Sequence, residues 1–176
     1  MQLPLFFYDH PILRQKALLV DEITPEIKQL VQDMEDTMNA ASSIGISANQ
    51  VGKLLSICLV RYPVEDEFGN YSRAATKVYI NPKLSNPSRE TWVHDEGCLS
   101  IPKLYVDVER PVSITVTALD IEGNEFTEEL SGWPARVLMH ENDHLNGKLF
   151  IDRLSKKKRN EIEPALRKIN KKFNTK

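Results

Sequence analysis

Hydrophobic residues recur at helical spacing near the start of the chain, in "ITPEIKQLVQDMEDTM". Thr24 can cap this helix, and Pro25 suits its first position. The apolar positions that share one face are Ile27, Leu30, Val31, Met34 and Met38. This spacing predicts an amphipathic N-terminal helix.

Two further segments favour helices. "SGWPARVLMHENDHLNG" predicts a helix that follows a capping Ser131 and stops before Gly147, a suitable C′ residue. "KKKRNEIEPALRKINKKF" predicts a C-terminal helix with Pro164 near its start or at a bend. The apolar stripe of this last helix consists of Ile162, Leu166, Ile169 and Phe173.

Between the first two helices the pattern favours strands. "LLSICLV" and "TKVYINP" are typical of strands, with Cys58 as a small buried hydrophobe and the polar "YPVEDEFGNYSRAA" as a loop between them. "VSITVTALD" and "EFTEEL" flank Gly123 and Asn124 and predict a hairpin. We therefore expect an α+β domain with mixed or antiparallel sheets.

Length and charge narrow the class of protein. The 176 residues suit one domain, and no run approaches the ~18 apolar residues of a membrane span. "LPLFFY" is too short for a signal peptide, so we expect a cytoplasmic protein without a membrane contact. Residues 155–176 hold nine Lys and Arg against two Glu. This basic tail indicates either a polyanionic partner or a solvated helix face.

"HENDH" is the strongest chemical signal. His140 and His144 are four residues apart, so on a helix both can face one metal ion. Glu141 is offset by about 100° and can take a proton from a water without ligating the ion. The alternative is a solvent-facing helix whose histidines are incidental.

A catalytic metal site needs a third protein ligand and an open position. Cys98, in the polar turn "DEGCLS", is the best candidate, although it could be an inert thiol. His10 lies in an N-terminal loop, and His94 is too far along an extended segment to join the same ion easily. We also expect a buried ion pair between Glu96 and Arg110 that braces the cysteine loop.

"SSIGISANQ" adds two weaker candidates. Gly45 would allow a close backbone approach, or simply a turn. Gln50 could offer an amide donor to a developing oxyanion, but taken alone it favours a surface position.

Taken together, "GISANQ", "EGCLSIP" and "HENDHLNGKLF", with "YDHPILRQKA" and "INPKL", resemble the peptide deformylase family over most of the chain. The C-terminal helix is similar to that of the bacterial type I branch. The resemblance implies sheets packed around a central HExxH helix, and removal of formate from the N-formyl-methionine of new polypeptides. Residues 1–154 would form the catalytic part, and residues 155–176 a basic helix of the same domain.

The resemblance also implies roles for individual residues. Cys98, His140 and His144 would hold one divalent ion, expected to be Fe²⁺, with Zn²⁺, Ni²⁺ or Co²⁺ as substitutes. Glu141 would be the general acid and base. The remaining roles would be oxyanion binding by Gln50 and the Leu99 N–H, contact with the substrate backbone by Gly45, and a methionine pocket walled by Ile44 and Val137. The expected partners are nascent N-formyl-methionyl chains and, through the C-terminal helix, the ribosome; we expect a monomer.

Three positions depart from the family pattern. Ser43 replaces the first glycine of the glycine motif, Met139 replaces a glutamine before the HExxH, and Tyr105 replaces an arginine common in bacterial relatives. These changes bear on substrate preference and remove no catalytic group. The alternatives are a zinc peptidase built on HExxH, and a structural metal site in a ribosome-associated module, which would need a fourth protein ligand.

Overall fold

The computed structural model describes residues 1–65, 71–73 and 75–174, and it has the expected α+β fold. Within these residues the α-helices are α1 (Pro25–Ala40), α2 (Trp133–Leu145) and α3 (Lys156–Asn174). Short 3₁₀ helices cover Pro11–Arg14, Ala48–Val51 and Phe150–Arg153. No helix in the described part of the chain combines the length and the apolar character needed to cross a membrane.

Nine strands make up the described sheet structure. They are β1 (Gly45–Ser47), β2 (Ile57–Val60), β3 (Pro63–Glu65), β4 (Tyr71–Arg73), β5 (Lys77–Ser85), β6 (Thr91–Cys98), β7 (Ile101–Pro111), β8 (Ser113–Leu119) and β9 (Glu125–Ser131). One antiparallel sheet has the order β1-β2-β5-β8-β9, and two antiparallel pairs, β3-β4 and β6-β7, stand beside it.

The strand predictions are confirmed in part. β2 lies in its predicted segment, β5 begins in its own and continues to Ser85, and β8 and β9 form the predicted hairpin around Gly123. The segment predicted as a loop contains the short pair β3-β4, and its residues 66–70 and 74 lie outside the described part of the chain. Cys58 is fully buried in β2, as its apolar neighbours indicate.

Helix α1 forms as the sequence predicts. The Thr24 hydroxyl accepts a hydrogen bond from the Ile27 N–H at 3.5 Å, and Pro25 opens the helix. Met34 and Met38 have no exposed surface and pack in a core with Ile46. Burial of each such side chain contributes roughly 1.5–3 kcal/mol, which holds α1 against β1 and β2.

Helix α2 starts differently from the prediction. Ser131 is the last residue of β9, where it pairs with Ser113, and the N-cap is Gly132. Gly132 has φ 62°, a left-handed conformation that lets the chain turn sharply from β9 into the helix. Gly147, with φ 68°, follows the cap residue Asn146 as expected. Most residues of α2 are buried, so this helix is the centre of the fold.

Helix α3 docks on the body of the protein through its apolar stripe. Leu166 is fully buried and packs in a core with Leu13 and Ile101. Phe173 stacks on Phe7 with ring centroids 4.0 Å apart. Pro164 lies inside the helix on an exposed position rather than near its start.

Candidate active site

A cleft opens between two strand edges, above α2. Among the described residues, β1 pairs only with β2 and β6 pairs only with β7, so each presents one free edge. The cleft has a volume of about 360 Å³. Apart from His144, every site residue inferred from the sequence lines it: Ile44, Gly45, Gln50, Cys98, Leu99, Val137, His140 and Glu141.

The three inferred metal ligands come together at the floor of this cleft. One ligand atom from each of Cys98, His140 and His144 lies within 4.8 Å of the others. The Cys98 Sγ and the His144 Nε2 are 3.2 Å apart. Helix α2 supplies both histidines from one face, and Cys98, the last residue of β6, supplies the sulfur.

No fourth His, Cys, Asp or Glu joins this group among the residues that the structure describes. The His94 imidazole instead lies 2.7 Å from the Asp95 carboxylate and packs against Trp133. The His10 Nδ1 accepts a hydrogen bond from the Ile12 N–H at 3.3 Å. A three-ligand site with an open position is typical of a catalytic ion, and a structural ion is normally enclosed by four.

The electrostatics of the three side chains suit a metal cation. Burial opposes the thiolate, yet His144 and His140 together hold the pKa of the Cys98 thiol well below its usual range. Burial also opposes the imidazolium, but Cys98 and Glu96 raise the pKa of His140 to about 10. The site therefore favours the deprotonated sulfur, which is the form that binds a metal cation.

The ligand set also fits a particular class of metal. His144 directs its Nε2 toward the Cys98 sulfur, and in the described part of the chain its other ring nitrogen, Nδ1, is buried without a hydrogen-bond partner. One thiolate and two imidazoles suit ions such as Zn²⁺ and Fe²⁺ better than Mg²⁺ or Ca²⁺, which prefer oxygen ligands.

Glu96 forms a hydrogen bond with the Nδ1 of His140. Its Oε2 lies 3.0 Å from the His140 Nδ1, and its Oε1 accepts from the Arg110 Nε at 2.5 Å. The side chains of Glu96 and Arg110 are 4% and 0% exposed, which confirms the predicted ion pair and its burial. Burial raises the pKa of Glu96, but Arg110 and His140 outweigh it and hold that pKa well below its usual range.

The charge network extends beyond the predicted pair. Arg136 donates to the Glu96 Oε1 at 2.7 Å. Arg110 also donates to Asp143 at 2.9 Å, and Asp143 in turn binds Arg153 at 2.6 Å. The sequence analysis missed Arg136 and Asp143, although helical spacing offered a signal for Arg136, which lies one turn before His140.

Glu141 lies beside the ligands and is itself buried. Ser47, which the sequence analysis also missed, donates from its hydroxyl to the Glu141 Oε2 at 2.6 Å. Burial raises the pKa of Glu141. A Cβ atom at Gly45 would collide with the Glu141 carboxyl group, so the close approach of β1 to this carboxylate requires a glycine.

Gln50 is buried, with 1% of its surface exposed, and the surface position expected from the residue alone is wrong. Its Oε1 accepts from the Ser47 N–H at 2.9 Å. This bond turns the Nε2 toward the Cys98 Sγ at 3.5 Å and the Ser100 hydroxyl at 3.2 Å. The donor end of Gln50 therefore lies beside Cys98, and Leu99, the next residue after Cys98, lines the cleft.

The three departures from the family pattern occupy different surroundings. Ser43 lines the cleft and donates to the Gly45 carbonyl oxygen at 2.8 Å. Met139 is buried in an apolar core cluster, where a thioether needs no polar partner. Tyr105 is 68% exposed at the mouth of the cleft, and its ring lies where a Cβ atom on Gly97 would be.

Comparisons with known proteins agree with this arrangement. A family model described as polypeptide deformylase matches residues 2–160. The peptide deformylase of Acinetobacter baumannii strain SDF is 40% identical over 167 residues, which cover 95% of this chain and 91% of that protein. The peptide deformylase of Rhizobium meliloti strain 1021 is 43% identical over 159 residues, or 90% and 88% of the two chains.

Solved structures give the same result. The crystal structure of peptide deformylase from Ehrlichia chaffeensis matches with a TM-score of 0.88 and 36% identity, covering 99% of this chain and 98% of that one. A plant peptide deformylase, PDF1B, matches with a TM-score of 0.87 and 37% identity, over 98% and 91% of the two chains. The chain therefore belongs to the polypeptide deformylase family.

Proposed function

We propose that this protein removes the formyl group from the N-formyl-methionine of new polypeptides, with Cys98, His140 and His144 holding one divalent metal ion. The observation that carries the proposal is the position of the Glu141 carboxylate beside three ligand atoms that lie within 4.8 Å of one another. Family membership makes the chain a metal-dependent hydrolase, and the alternative of a peptidase finds no support in the relatives.

The ion that we propose is Fe²⁺, with Zn²⁺, Ni²⁺ or Co²⁺ as substitutes. A thiolate and two imidazoles suit all four ions. When bound, such an ion acts as a Lewis acid on a carbonyl oxygen and lowers the pKa of a coordinated water toward neutrality. Because thiolate-ligated Fe²⁺ is sensitive to oxygen, purification in air would favour the substitutes.

Glu141 moves the proton in this mechanism. Its carboxylate first takes a proton from the attacking water and then passes it to the nitrogen of the departing amine. Burial raises the pKa of Glu141, which helps it to keep the proton between these two steps. Ser47 fixes the Oε2 at 2.6 Å, and the Oε1 lies on the side of Gly45, at the cleft.

Two donors stabilise the negative charge that develops on the formyl oxygen. They are the backbone N–H of Leu99 and the Nε2 of Gln50, which lies 3.5 Å from the sulfur of Cys98. Ser47 holds the Gln50 amide by its oxygen, so the donor end is already oriented before substrate binds. Removal of one such donor typically costs about 10²–10³ in rate.

The substrate lies in the cleft as an added strand. The free edges of β1 and β6 offer backbone groups on both sides of an extended peptide, and alternate side chains give specificity. Ile44, half exposed at the rim, and Val137, buried in the wall, form the pocket for the methionine side chain.

We also propose that α3 binds the ribosome. Each residue of a helix is rotated by about 100° from the one before it, so one face of α3 carries four lysines within an arc of about 100°. They are Lys157, Lys168, Lys171 and Lys172. That arc lies opposite the stripe that docks on the body, so the basic face is directed outward. Ribosomal RNA is a polyanion, and binding through these lysines should weaken steeply with salt. We also propose that the protein is located in the cytoplasm and acts as a monomer.

Formate release from a formyl-Met-Ala-Ser peptide, with metal analysis of the same sample, tests the proposed activity. We expect formate and the free peptide, and no cleavage of the peptide bonds. An acetyl-Met-Ala-Ser peptide is the matched control. Cleavage within the peptide, or no formate from a protein that carries one ion per chain, would contradict the proposal.

Charge reversal tests the ribosome contact better than truncation does, because loss of α3 would uncover Leu166 and its core neighbours. We expect Lys157→Glu, Lys168→Glu and Lys172→Glu together to abolish co-sedimentation with ribosomes at low salt and to leave turnover of short peptides intact. Equal sedimentation of the triple variant and the wild type would refute this contact.

A further inference from the structure

The hydroxyl of Ser43 covers the backbone of Gly45 at the free edge of β1. It donates to the Gly45 carbonyl oxygen at 2.8 Å, and its oxygen lies 3.4 Å from the Gly45 N–H. Both backbone groups of Gly45 face away from β2, because the preceding carbonyl, that of Ile44, is the one that accepts from the Arg61 N–H at 2.7 Å. One side chain therefore contacts both groups that an incoming strand would use.

This position coincides with that of a strand partner. In an antiparallel pair, one residue exchanges an N–H and a C=O bond with the residue opposite. The Ser43 hydroxyl reaches the same two groups of Gly45 from within the chain. A peptide N–H and this hydroxyl therefore compete for the Gly45 carbonyl oxygen.

Gly45 also lies directly against Glu141, one of the proposed reacting groups. A Cβ atom there would overlap the Glu141 carboxyl group. A substrate that brings its formamide to Glu141 would therefore lie against Gly45, where its formamide N–H can donate to the Gly45 carbonyl oxygen.

We propose that Ser43 is an internal competitor of the substrate backbone, so that its bond to Gly45 must open before a formyl-peptide can pair with β1. The inference rests on the proposed function and concerns affinity. The bond is broken in the bound substrate and in the transition state alike. A mutation that removes the Ser43 hydroxyl should therefore change KM and leave kcat unchanged.

Removal of the hydroxyl tests this inference. We expect Ser43→Ala to lower KM by about 2–10-fold at unchanged kcat, the range that one net hydrogen bond supports. Ser43→Thr, which keeps the donor, should restore a KM close to that of the wild type. Ser85→Ala, an exposed serine of β5 far along the sheet, controls for the substitution itself. If Ser43 served only to shape the turn, Ser43→Ala would instead lower kcat or the melting temperature.

A modified ligand separates backbone competition from a steric effect. A formyl-peptide with an N-methyl group on the formamide nitrogen has no N–H to donate. As an inhibitor of peptide turnover, it should show the same inhibition constant for wild type and Ser43→Ala. Ser43→Cys, a weak donor of similar size, should give a KM between those of the wild type and Ser43→Ala.

The possible failures can be told apart. An unchanged or higher KM in Ser43→Ala, with wild-type formate release intact, would overturn the role of Ser43 alone. An inhibition constant of the N-methylated ligand that falls in Ser43→Ala as much as KM does would also overturn it, since this ligand cannot donate a hydrogen bond to Gly45. Absence of formate release from the metal-loaded wild type would overturn the proposed function and this inference together.

Discussion

Glu96 and His140 are joined by a hydrogen bond in which the Nδ1 of the imidazole lies 3.0 Å from the Oε2 of the carboxylate. Because a carboxylate accepts, this bond places the proton on Nδ1 and leaves the Nε2 lone pair for an ion. Arg110 and Arg136 hold the same carboxylate at 2.5 and 2.7 Å. The orientation of the His140 imidazole thus depends on two buried arginines that act through Glu96.

Arg110→Met should destabilise the fold by about 3–5 kcal/mol, because it leaves Glu96 and Asp143 buried with one cation fewer. Urea unfolding gives the free energy of unfolding. Metal affinity should fall by about 10–100-fold, the usual effect of losing support behind a ligand. The double variant Glu96→Gln/Arg110→Met is the control, and it should lose less than the sum of the single variants. Additive losses would show that the two side chains act independently.

Glu141→Gln should retain the metal and lose turnover by at least about 10²–10⁴-fold, the range supplied by a positioned acid and base. The amide keeps the shape of the side chain and can still contact Ser47. Metal content per chain and kcat are the two measurements. A metal-loaded variant that turns over at the wild-type rate would assign the proton transfer to another group.

The two cysteines of the chain provide a matched pair of variants. Cys98→Ala should reduce metal affinity sharply, since it removes the sulfur that lies 3.2 Å from the His144 Nε2. Cys58→Ala removes a similar volume from the β2 core and should lower only the stability. Isothermal titration with Zn²⁺ and thermal unfolding separate the two effects. Equal metal affinity in both variants would contradict the proposed ligand set.

Acid should destabilise the protein in part through Asp143. Burial raises the pKa of this carboxyl group, but Arg153 and Arg110 outweigh it and lower the pKa below its ordinary value. Its stabilisation is therefore complete above the unfolded-state pKa of about 4 and is lost as the pH falls through the folded-state value. Asp143→Asn should be less stable at pH 7 and should lose less further stability between about pH 5 and 3. Urea unfolding of both metal-free proteins at these pH values checks this, and parallel acid profiles would disprove it.

The sequence predicts best the features that depend on neighbouring residues. Helix α1 follows from Thr24, Pro25 and an unbroken apolar face, and the β8-β9 hairpin follows from its turn residues. The two histidines share a face because of helical geometry alone. By contrast, the start of α2 depended on whether Ser131 ended a strand or capped a helix. The pairing of Ser131 with Ser113 keeps Ser131 in β9, and the residues next to Ser131 in the sequence do not predict this pairing.

The parts of the site that the sequence leaves open come from distant segments. Cys98 reaches the histidines only because β6 and β7 form a hairpin whose turn lies over α2, and this hairpin was not predicted. Gln50 is buried because Ser47 and Ser100 satisfy its amide, and Ser47 is placed by the contact of β1 with α2. Polar residues of these types are usually exposed, and the burial of Gln50 depends in part on Ser100, which lies 50 residues away along the chain.

The stacking of Phe7 on Phe173 has a consequence for synthesis. Because a chain is made from its N-terminus, Phe7 leaves the ribosome long before Phe173 does. Arg159, which donates to the Tyr8 hydroxyl at 3.0 Å, also arrives late. The β6-β7 hairpin and α2 emerge earlier, so Cys98, His140 and His144 are all available before Phe7 and Phe173 can stack. Such contacts between distant segments form late because the intervening chain must first be ordered. The segment around Phe7 therefore waits for α3, and the last turns of this helix complete its packing.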